Sequence, residues 1–491
     1  MKKIRIIGGG LAGPEAALQA ASLGCNVDLY EMRPTRSTEA HETADFAELV
    51  CSNSLKSESE NTAPWLLKQE MRRAGSFLLA DADATAVPAG HALAVDRVEF
   101  SRRVNARIAA LSTGPDARIT IHREEVTTLD PDQPDTLTIL ATGPLTSPAL
   151  AAELQRLTGS DRLAFYDSIS PIVDATTIDM DRVFLAARYD KGTADYINCP
   201  FTKEEYDRFL DALLTAESVP LKDWEADALS PLSSHSEALL SSRSEAEGSA
   251  SLPPAAPAPA HYFEGCLPIE EIARRGRDTL RFGPMKPVGL TDPKTGRWPY
   301  AVVQLRQENL RADSYNLVGF QNHLKFGEQA RVLRLIPGLE NATFLRYGQI
   351  HRNTYIDAPN LLTETLQLRA HPSILIAGQL SGIEGYTESI ASGLLAGRYA
   401  AALARGIDPT PAPRATANGS LSHYITHAQN PEKHRRFQPA NITFDLLPPL
   451  EEVLRHKIRD KKERHKIQCD RALAAWDAWL AQSATAPLSL L

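Results

Sequence analysis

The sequence predicts an α/β fold built on a parallel sheet, because its N-terminus joins a strand, a glycine-rich turn and a helix. The apolar run 3–7 enters the pattern G-x-G-x-x-G, a small-residue helix follows over 14–23, and a second strand, 27–31, ends on an acid. Such glycines let the backbone approach a pyrophosphate at the helix N-terminus, and an acid at this distance binds ribose hydroxyls. The order predicts a Rossmann-like unit whose dinucleotide contacts are Gly8, Gly9, Gly10, Leu11, Ala12, Gly13 and Glu31.

Two later segments indicate which dinucleotide is bound. A strand over 137–142 ends in Ala-Thr-Gly at Gly143, and a strand over 374–377 leads into a glycine-rich turn and a small-residue helix, 389–405. Flavoproteins of the glutathione-reductase type resemble this order, with the late turn and helix covering the flavin. The alternative interpretation is that these segments are two unrelated buried strands. The order favours FAD over NAD as the resident cofactor, with Gly143, Gly378, Gln379 and Gly382 as further contacts.

The order of these segments along the chain also predicts the domain organisation. Residues 1–165 and 328–491 form a glutathione-reductase-type FAD-binding domain, which ends in a C-terminal helical tail from about residue 448. An inserted α+β domain occupies 166–327 and carries Cys266. Residues 230–260 are rich in Ser, Ala and Pro, so they are predicted to be a disordered loop that cannot bury enough apolar surface to fold.

Composition limits the function classes. A chain of 491 residues with 43% hydrophobic and 23% charged residues is typical of a globular enzyme of two or three domains. The sequence has no apolar run long enough for a membrane span and no signal peptide, so neither a membrane nor export is expected. Five cysteines without C-x-x-C spacing predict free thiols, a cytoplasmic location and no metal.

The net charge of −8 gives no general attraction to nucleic acid, so an RNA partner requires a local basic patch. The run 455–466 is a candidate for such a patch, although runs of this kind are usually solvated helix faces.

Two of the cysteines are candidates for chemistry. Cys266 precedes a helix that is predicted to begin at Pro268, where the helix dipole favours a thiolate while Glu270 and Glu271 oppose it. Cys51 lies where an apolar segment becomes polar. A lone cysteine is more often a buried filler, which is the interpretation for Cys25 and Cys199, and Cys469 is predicted to lie on a helix surface.

Longer motifs extend through most of the chain. They are Gly8–Gly13 and residues 47–56, 87–90, 92–97, 265–270, 281–290, 352–355 and 441–450. With these motifs the chain resembles the TrmFO family, the bacterial folate- and FAD-dependent tRNA uracil-5-methyltransferases. The stretch 230–260 departs from the family pattern as an insertion ahead of Cys266.

The resemblance implies a reaction and its participants. Methylenetetrahydrofolate would donate the one-carbon unit through reduced FAD, NADH or NADPH would reduce the flavin, and carbon 5 of the T-loop uridine at tRNA position 54 would be methylated. Cys266 matches the family's thiol nucleophile, which activates carbon 5 by adding to carbon 6. Cys51 matches a second functional cysteine, interpreted as the base for the carbon-5 proton. Polar residues near the predicted flavin-covering segments are candidate substrate contacts: Asn322, His323, His351 and Arg352.

Three alternatives stay open at this point. The related flavin enzyme MnmG modifies the tRNA wobble uridine, but its chain carries a longer C-terminal helical domain. A small-molecule FAD oxidoreductase is possible, although a disulfide reductase would show a paired redox-cysteine motif. A non-catalytic FAD-binding scaffold would leave Cys51 and Cys266 unexplained.

Overall fold

A computed structural model describes residues 1–38, 40–159, 163–190, 193–219, 267–427, 437–451 and 458–482, with the backbone alone at 163–168, 190 and 350–352. Its strands are β1 (Lys3–Ile7), β2 (Val27–Tyr30), β3 (Ser54–Ser57), β4 (Ala86–Val87), β5 (Ala92–Val95), β6 (Ile119–His122), β7 (Thr136–Leu140), β8 (Leu163–Ser168), β9 (Ile172–Asp174), β10 (Phe184–Leu185), β11 (Tyr196–Phe201), β12 (Ala301–Gln307), β13 (Ser314–Leu317), β14 (Phe344–Arg346), β15 (Ile350–Tyr355) and β16 (Ile374–Ile376).

The described residues also form α-helices. They are α1 (Ala12–Ser22), α2 (Ala63–Arg73), α3 (Phe77–Ala84), α4 (Arg97–Ala110), α5 (Pro148–Thr158), α6 (Lys203–Thr215), α7 (Ile269–Arg274), α8 (Thr279–Phe282), α9 (Phe326–Leu333), α10 (Ala358–Leu361), α11 (Tyr386–Ala404), α12 (Ala417–His427) and α13 (Lys461–Gln482).

The first sheet is parallel and has the strand order β16-β7-β1-β2-β6. In register, Ile7 at the end of β1 lies opposite Tyr30 of β2 and Leu140 of β7. The strands therefore end at one common edge, where the Gly8 N–H donates to the Tyr30 carbonyl at 2.8 Å. In open α/β sheets, ligands bind at this carboxyl edge. The predicted α/β fold with a Rossmann-like parallel sheet is confirmed.

Two helices pack against each other through their backbones beside this sheet. A Cβ atom on Gly393 of α11 would come within 2.3 Å of the Ala12 carbonyl oxygen, and one on Gly397 would come within 2.5 Å of the Ala16 carbonyl oxygen. Any side chain at these two positions would push α11 away from α1. The small residues of α11 thus permit the close helix packing that the sequence predicted.

The second sheet is antiparallel, in the order β10-β11-β12-β13-β9-β14, and it packs on α6, α7 and α9 around its own hydrophobic core. This arrangement is the predicted inserted α+β unit. Strand β14 pairs with β9, so the second sheet extends to Arg346, past residue 327. The domain boundaries given in the sequence analysis stay predictions.

Strands β3, β5 and β4 form a small antiparallel sheet, and β15 pairs with β8. In the described part of the chain, no helix is both long enough and apolar enough to cross a membrane.

The helical tail that was predicted from about residue 448 includes α13, which begins at Lys461. Residues 448–451 and 458–460 are not helical, and the rest of the predicted tail before α13 lies outside the described residues. Cys469 of α13 is buried rather than on the helix surface, so that prediction was wrong. The Trp476 indole of the same helix donates to the Glu70 carbonyl of α2 at 2.7 Å, so the helix packs against α2 on the face that carries Cys469.

Cys266 and the predicted loop 230–260 lie outside the described residues, as does part of the basic run 455–466.

Candidate active site

A cleft with about 1030 Å³ of empty volume opens at the carboxyl edge of the parallel sheet. Most of the predicted dinucleotide contacts line it, namely Gly8, Gly9, Gly10, Leu11, Ala12, Glu31, Gly143, Gly378 and Gln379. Gly13 and Gly382 do not line the cleft. Their lack of a side chain instead allows neighbouring segments to pack closely around it. The loop after β1, the end of β7 and the turn after β16 therefore meet at one site, although more than 200 residues of chain separate the last two.

Two glycines of the first loop, Gly13 and Gly10, have different structural roles. A Cβ on Gly13 would come within 1.9 Å of the Gly8 carbonyl oxygen, so Gly13 lets α1 pack under the loop. Among the described residues, no atom lies within 4 Å of a Cβ placed on Gly10. The space beside Gly10 is thus part of the open cleft, at the N-terminus of α1. An anion fits here, because backbone N–H groups and the helix dipole face it.

Glu31 is buried and already paired on the protein side. Its Oε2 accepts the Gly9 N–H at 2.8 Å, and its Oε1 accepts the N–H and the Nε of Arg33, each at 2.9 Å. Burial raises the pKa of Glu31, but the hydrogen bonds and charge of Arg33 outweigh burial, and the net shift is downward. The ionised Oε2 keeps one lone pair for a ribose hydroxyl. The sequence analysis did not identify Arg33, which holds the carboxylate in place.

The late glycine-rich turn is fixed from both sides. The Gly378 N–H donates to Ser392 Oγ at 2.7 Å, and Gln379 Nε2 donates to Glu384 Oε2 at 2.5 Å. A Cβ on Gly382 would come within 2.4 Å of the Phe437 ring. Gly382 therefore makes room for an aromatic support under the turn instead of contacting the cleft.

The loop of Cys51 borders the same cleft through Tyr386, the first residue of α11. The Tyr386 hydroxyl accepts the Cys51 N–H at 2.7 Å and the Ser52 N–H at 3.3 Å, and both Tyr386 and Val50 line the cleft. Burial raises the pKa of Tyr386, so the phenol stays protonated. The hydroxyl thus fixes the backbone of the partly buried Cys51 relative to α11.

Two arginines, the buried Arg306 and the partly buried Arg97, hold the rest of this loop. Arg306 donates to Asn53 Oδ1 at 2.9 Å and to Ser52 Oγ at 2.8 Å, and Arg97 donates to the Leu49 carbonyl at 2.9 Å while pairing with Glu308. Both guanidinium groups interact electrostatically with Cys51. In general, a positive charge beside a cysteine stabilises its ionised form.

The sequence analysis identified neither arginine, and it did not identify Tyr386. Arg97 lies inside the motif 92–97 and Tyr386 directly follows the turn at Gly385, but no spacing along the chain reveals that both reach Cys51.

The predicted substrate residues lie in other places. Asn322 is fully buried, donates to the Phe320 carbonyl at 3.2 Å and accepts the Leu324 N–H at 3.3 Å, all within one turn of the second core. His323 is buried there as well, and its backbone N–H donates to Glu270 Oε1 at 2.6 Å. His351 and Arg352 belong to β15, whose Thr354 N–H donates to the Pro144 carbonyl beside the cleft at 2.9 Å. Substrate contact by these four stays a prediction.

Removing the Tyr386 hydroxyl is expected to loosen the Cys51 loop. The Tyr386→Phe variant leaves two N–H groups without this acceptor, a loss of about 1–3 kcal/mol. We expect FAD content to be retained and the rate of tRNA methylation to fall by about tenfold, because that factor corresponds to about 1.4 kcal/mol. The measurement pairs the methylation rate with the rate of Cys51 alkylation by iodoacetamide, followed by peptide mass spectrometry.

Tyr399→Phe is the matched control, since Tyr399 lies on the same helix and its hydroxyl accepts the Ala412 N–H at 2.9 Å, away from Cys51. Equal effects of the two variants on both rates would contradict the positioning role of Tyr386.

Comparison with known proteins is consistent with the fold and the motifs. The family model described as glucose inhibited division protein A matches residues 3–239 and 247–408. The structure of Aquifex aeolicus GidA in its form II crystal covers 97% of this chain and 74% of its own, with a TM-score of 0.64 and 16% identity, which shows a shared fold.

Curated relatives are much closer in sequence. The chain is 64% identical over 481 residues, 98% of either chain, to the methylenetetrahydrofolate–tRNA-(uracil-5-)-methyltransferase TrmFO of Koribacter versatilis. It is 58% identical to the protein of the same name in Solibacter usitatus, over 97% of this chain and 98% of that one. The chain therefore belongs to the glucose inhibited division protein A family and, together with these relatives, to its TrmFO group.

Proposed function

We propose that this chain is a folate- and FAD-dependent tRNA uracil-5-methyltransferase, with Cys266 and Cys51 as its catalytic cysteines. The observation that carries the proposal is the hydrogen bond from the Cys51 backbone to Tyr386, which joins a cysteine loop to the wall of a dinucleotide cleft. A plain FAD oxidoreductase has no need of a thiol held at this place. The names of relatives that match almost the whole chain support the same reaction.

The cleft suits FAD residue by residue. The open space at Gly10 would take the pyrophosphate, and Glu31, held by Arg33, would accept a ribose hydroxyl. Gly378 and Gln379, at the N-terminal side of α11, would border the flavin. When bound and reduced by NADH or NADPH, FAD supplies the electrons that bring the transferred carbon to the methyl level.

The two cysteines would have different roles in the reaction at the uracil ring. The Cys266 sulfur forms a bond to carbon 6, which places negative charge on carbon 5 and lets it attack the one-carbon unit from methylenetetrahydrofolate. The Cys51 thiolate then accepts the proton that carbon 5 loses, and the bond between the one-carbon unit and its nitrogen carrier breaks, with the electron pair going to that nitrogen. The methylene group left on carbon 5 is reduced to methyl by the electrons described above, and the Cys266 sulfur leaves carbon 6. Arg97 and Arg306 favour the thiolate that this base requires. The cysteines in the described part of the chain form no disulfide, which fits a reducing cytoplasm, where tRNA is available.

The test is the appearance of 5-methyluridine in tRNA. Unmodified tRNA, methylenetetrahydrofolate and NADH or NADPH are incubated with the purified protein, and the nucleosides are analysed by mass spectrometry after nuclease digestion. We expect 5-methyluridine at position 54 and none in a reaction that lacks the folate donor. A tRNA modified only at the wobble uridine would instead indicate the MnmG-like activity, and NADH oxidation without any tRNA product would indicate a small-molecule oxidoreductase.

A further inference from the structure

A cluster of two histidines and a glutamate lies on the surface, away from the residues of the cleft. His423 and His427 stand one turn apart on α12, and Glu364 comes from the loop after α10. The two imidazole rings are stacked, with centroids 4.3 Å apart and planes 16° apart. About 37%, 49% and 39% of the side chains of His423, His427 and Glu364 are exposed, so an ion from solvent can reach them.

The three potential ligand atoms already approach the spacing of a metal site. Glu364 Oε1 lies 3.1 Å from His423 Nδ1 and 3.6 Å from His427 Nδ1, and no two ligand atoms are more than 4.8 Å apart. A tetrahedral zinc ion with bonds of about 2.0–2.1 Å holds its ligand atoms about 3.3 Å from one another. The two measured distances lie on either side of that value. The side chains therefore need only small rotations to bind an ion between them.

We propose that Glu364, His423 and His427 bind one Zn²⁺ ion, with water as the fourth ligand. Two imidazoles and one carboxylate are a donor set that zinc prefers, whereas Mg²⁺ prefers oxygen ligands. His427 Nδ1 must give up its contact with Thr426 Oγ1, 2.9 Å away. Arg414 is close enough to interact with Glu364 and opposes a cation, but its guanidinium donates to Ser420 Oγ at 2.7 Å. The site departs from the expectation of no metal, which rested on cysteine spacing.

Such an ion would brace a part of the fold that supports the cofactor cleft. The N-terminus of α12 is held by Glu70, which accepts the Ala417 and Asn418 N–H groups at 2.7 and 2.9 Å. Near its C-terminus, the Tyr424 hydroxyl donates to the Gln438 carbonyl at 2.9 Å, next to the Phe437 that packs at Gly382. Zinc bound to His423, His427 and Glu364 would connect the last turn of α12 to the loop after α10.

The experiment is a calorimetric titration of the FAD-loaded, EDTA-treated full chain with ZnCl₂, and with MgCl₂ in parallel. We expect one zinc equivalent that His427→Gln and Glu364→Gln each weaken by more than about tenfold, since even outer-shell changes cost 10–100-fold. Zinc should raise the thermal midpoint of the wild type and not that of the two variants, because a ligand that binds only the folded state stabilises it.

His91→Gln is the matched control, since His91 is exposed and distant in sequence from the three ligands. It should bind zinc as the wild type does. Midpoints measured without zinc show whether each variant folds normally. Wild-type protein that takes up no zinc would overturn the proposal, and so would variants that bind zinc with unchanged affinity and stoichiometry. In the second case zinc would be held elsewhere, for example by the cysteines.

Discussion

Replacing Cys266 with alanine is expected to abolish 5-methyluridine formation while FAD stays bound. Without a sulfur bond to carbon 6, carbon 5 of the uracil is a poor nucleophile, and positioning alone does not restore that reactivity. Losing a covalent nucleophile lowers enzyme rates by at least about three orders of magnitude. The measurement is the mass-spectrometric yield of 5-methyluridine per flavin, so that loss of cofactor is not mistaken for loss of chemistry.

A tRNA that contains 5-fluorouridine makes this test more specific. Fluorine does not leave carbon 5 as a proton does, so the wild type should be trapped as a covalent complex on a denaturing gel, and Cys266→Ala should not. Cys51→Ala keeps the nucleophile but lacks the base, so it should form a covalent complex even with ordinary tRNA.

Cys199→Ala is the control cysteine, because Cys199 is fully buried in the second core and burial raises the pKa of its thiol. It should methylate tRNA normally. Near wild-type methylation by Cys266→Ala would show that the nucleophile is a different residue.

Changing Gly10 to valine is expected to weaken FAD binding without unfolding the protein. A Cβ placed on Gly10 meets no described atom within 4 Å, so the added side chain extends into the open space where the pyrophosphate would lie. Steric overlap of this size costs about 1–3 kcal/mol, which corresponds to a loss of affinity of roughly tenfold to hundredfold. The measurement is the dissociation constant of FAD on reconstituted apoprotein, supported by the flavin absorbance of the purified variant.

Gly327→Val is the comparison, since a Cβ on Gly327 also meets no described atom within 4 Å, but the residue lies in α9, beside the second core. Both variants should give native far-UV circular dichroism, and only Gly10→Val should lose affinity for FAD. Full flavin content and unchanged affinity in Gly10→Val would mean that the pyrophosphate lies elsewhere.

Local constraints made the cofactor end of the molecule predictable. The glycine loop, α1 and the acid at the end of β2 are contiguous in sequence, so steric requirements that act over a few residues specify their geometry. The cap of α4 is equally local, with the Asp96 side chain accepting the Glu99 N–H at 3.0 Å. The small residues in the sequence of α11 likewise indicate that a second helix packs closely against it.

Contacts between distant segments were not predictable in this way. Tyr386 and Cys51 are 335 residues apart, and nothing in either motif encodes a hydrogen bond between them. Glu364 meets His423 across 59 residues, so a search for local ligand spacing misses the cluster. The burial of Cys469 depends on the docking of α13 against α2, whereas periodicity reports only which residues could share a face. Tertiary packing decides these features, and a single sequence does not display it.

The backbone contact between α1 and α11 limits how the molecule can move. Shear motions in proteins are small sliding movements of packed helices, which the side chains between the helices accommodate. Gly393 and Gly397 lie directly against the backbone of α1 with no side chain of their own between the two helices, so this pair has little room to slide. In the reaction proposed above, a folate, a nicotinamide and an RNA loop must nevertheless all reach one cleft during a turnover. The rearrangements that admit them in succession must then occur in the loops and in the second sheet, while α1, α11 and the parallel sheet beside them keep their shape.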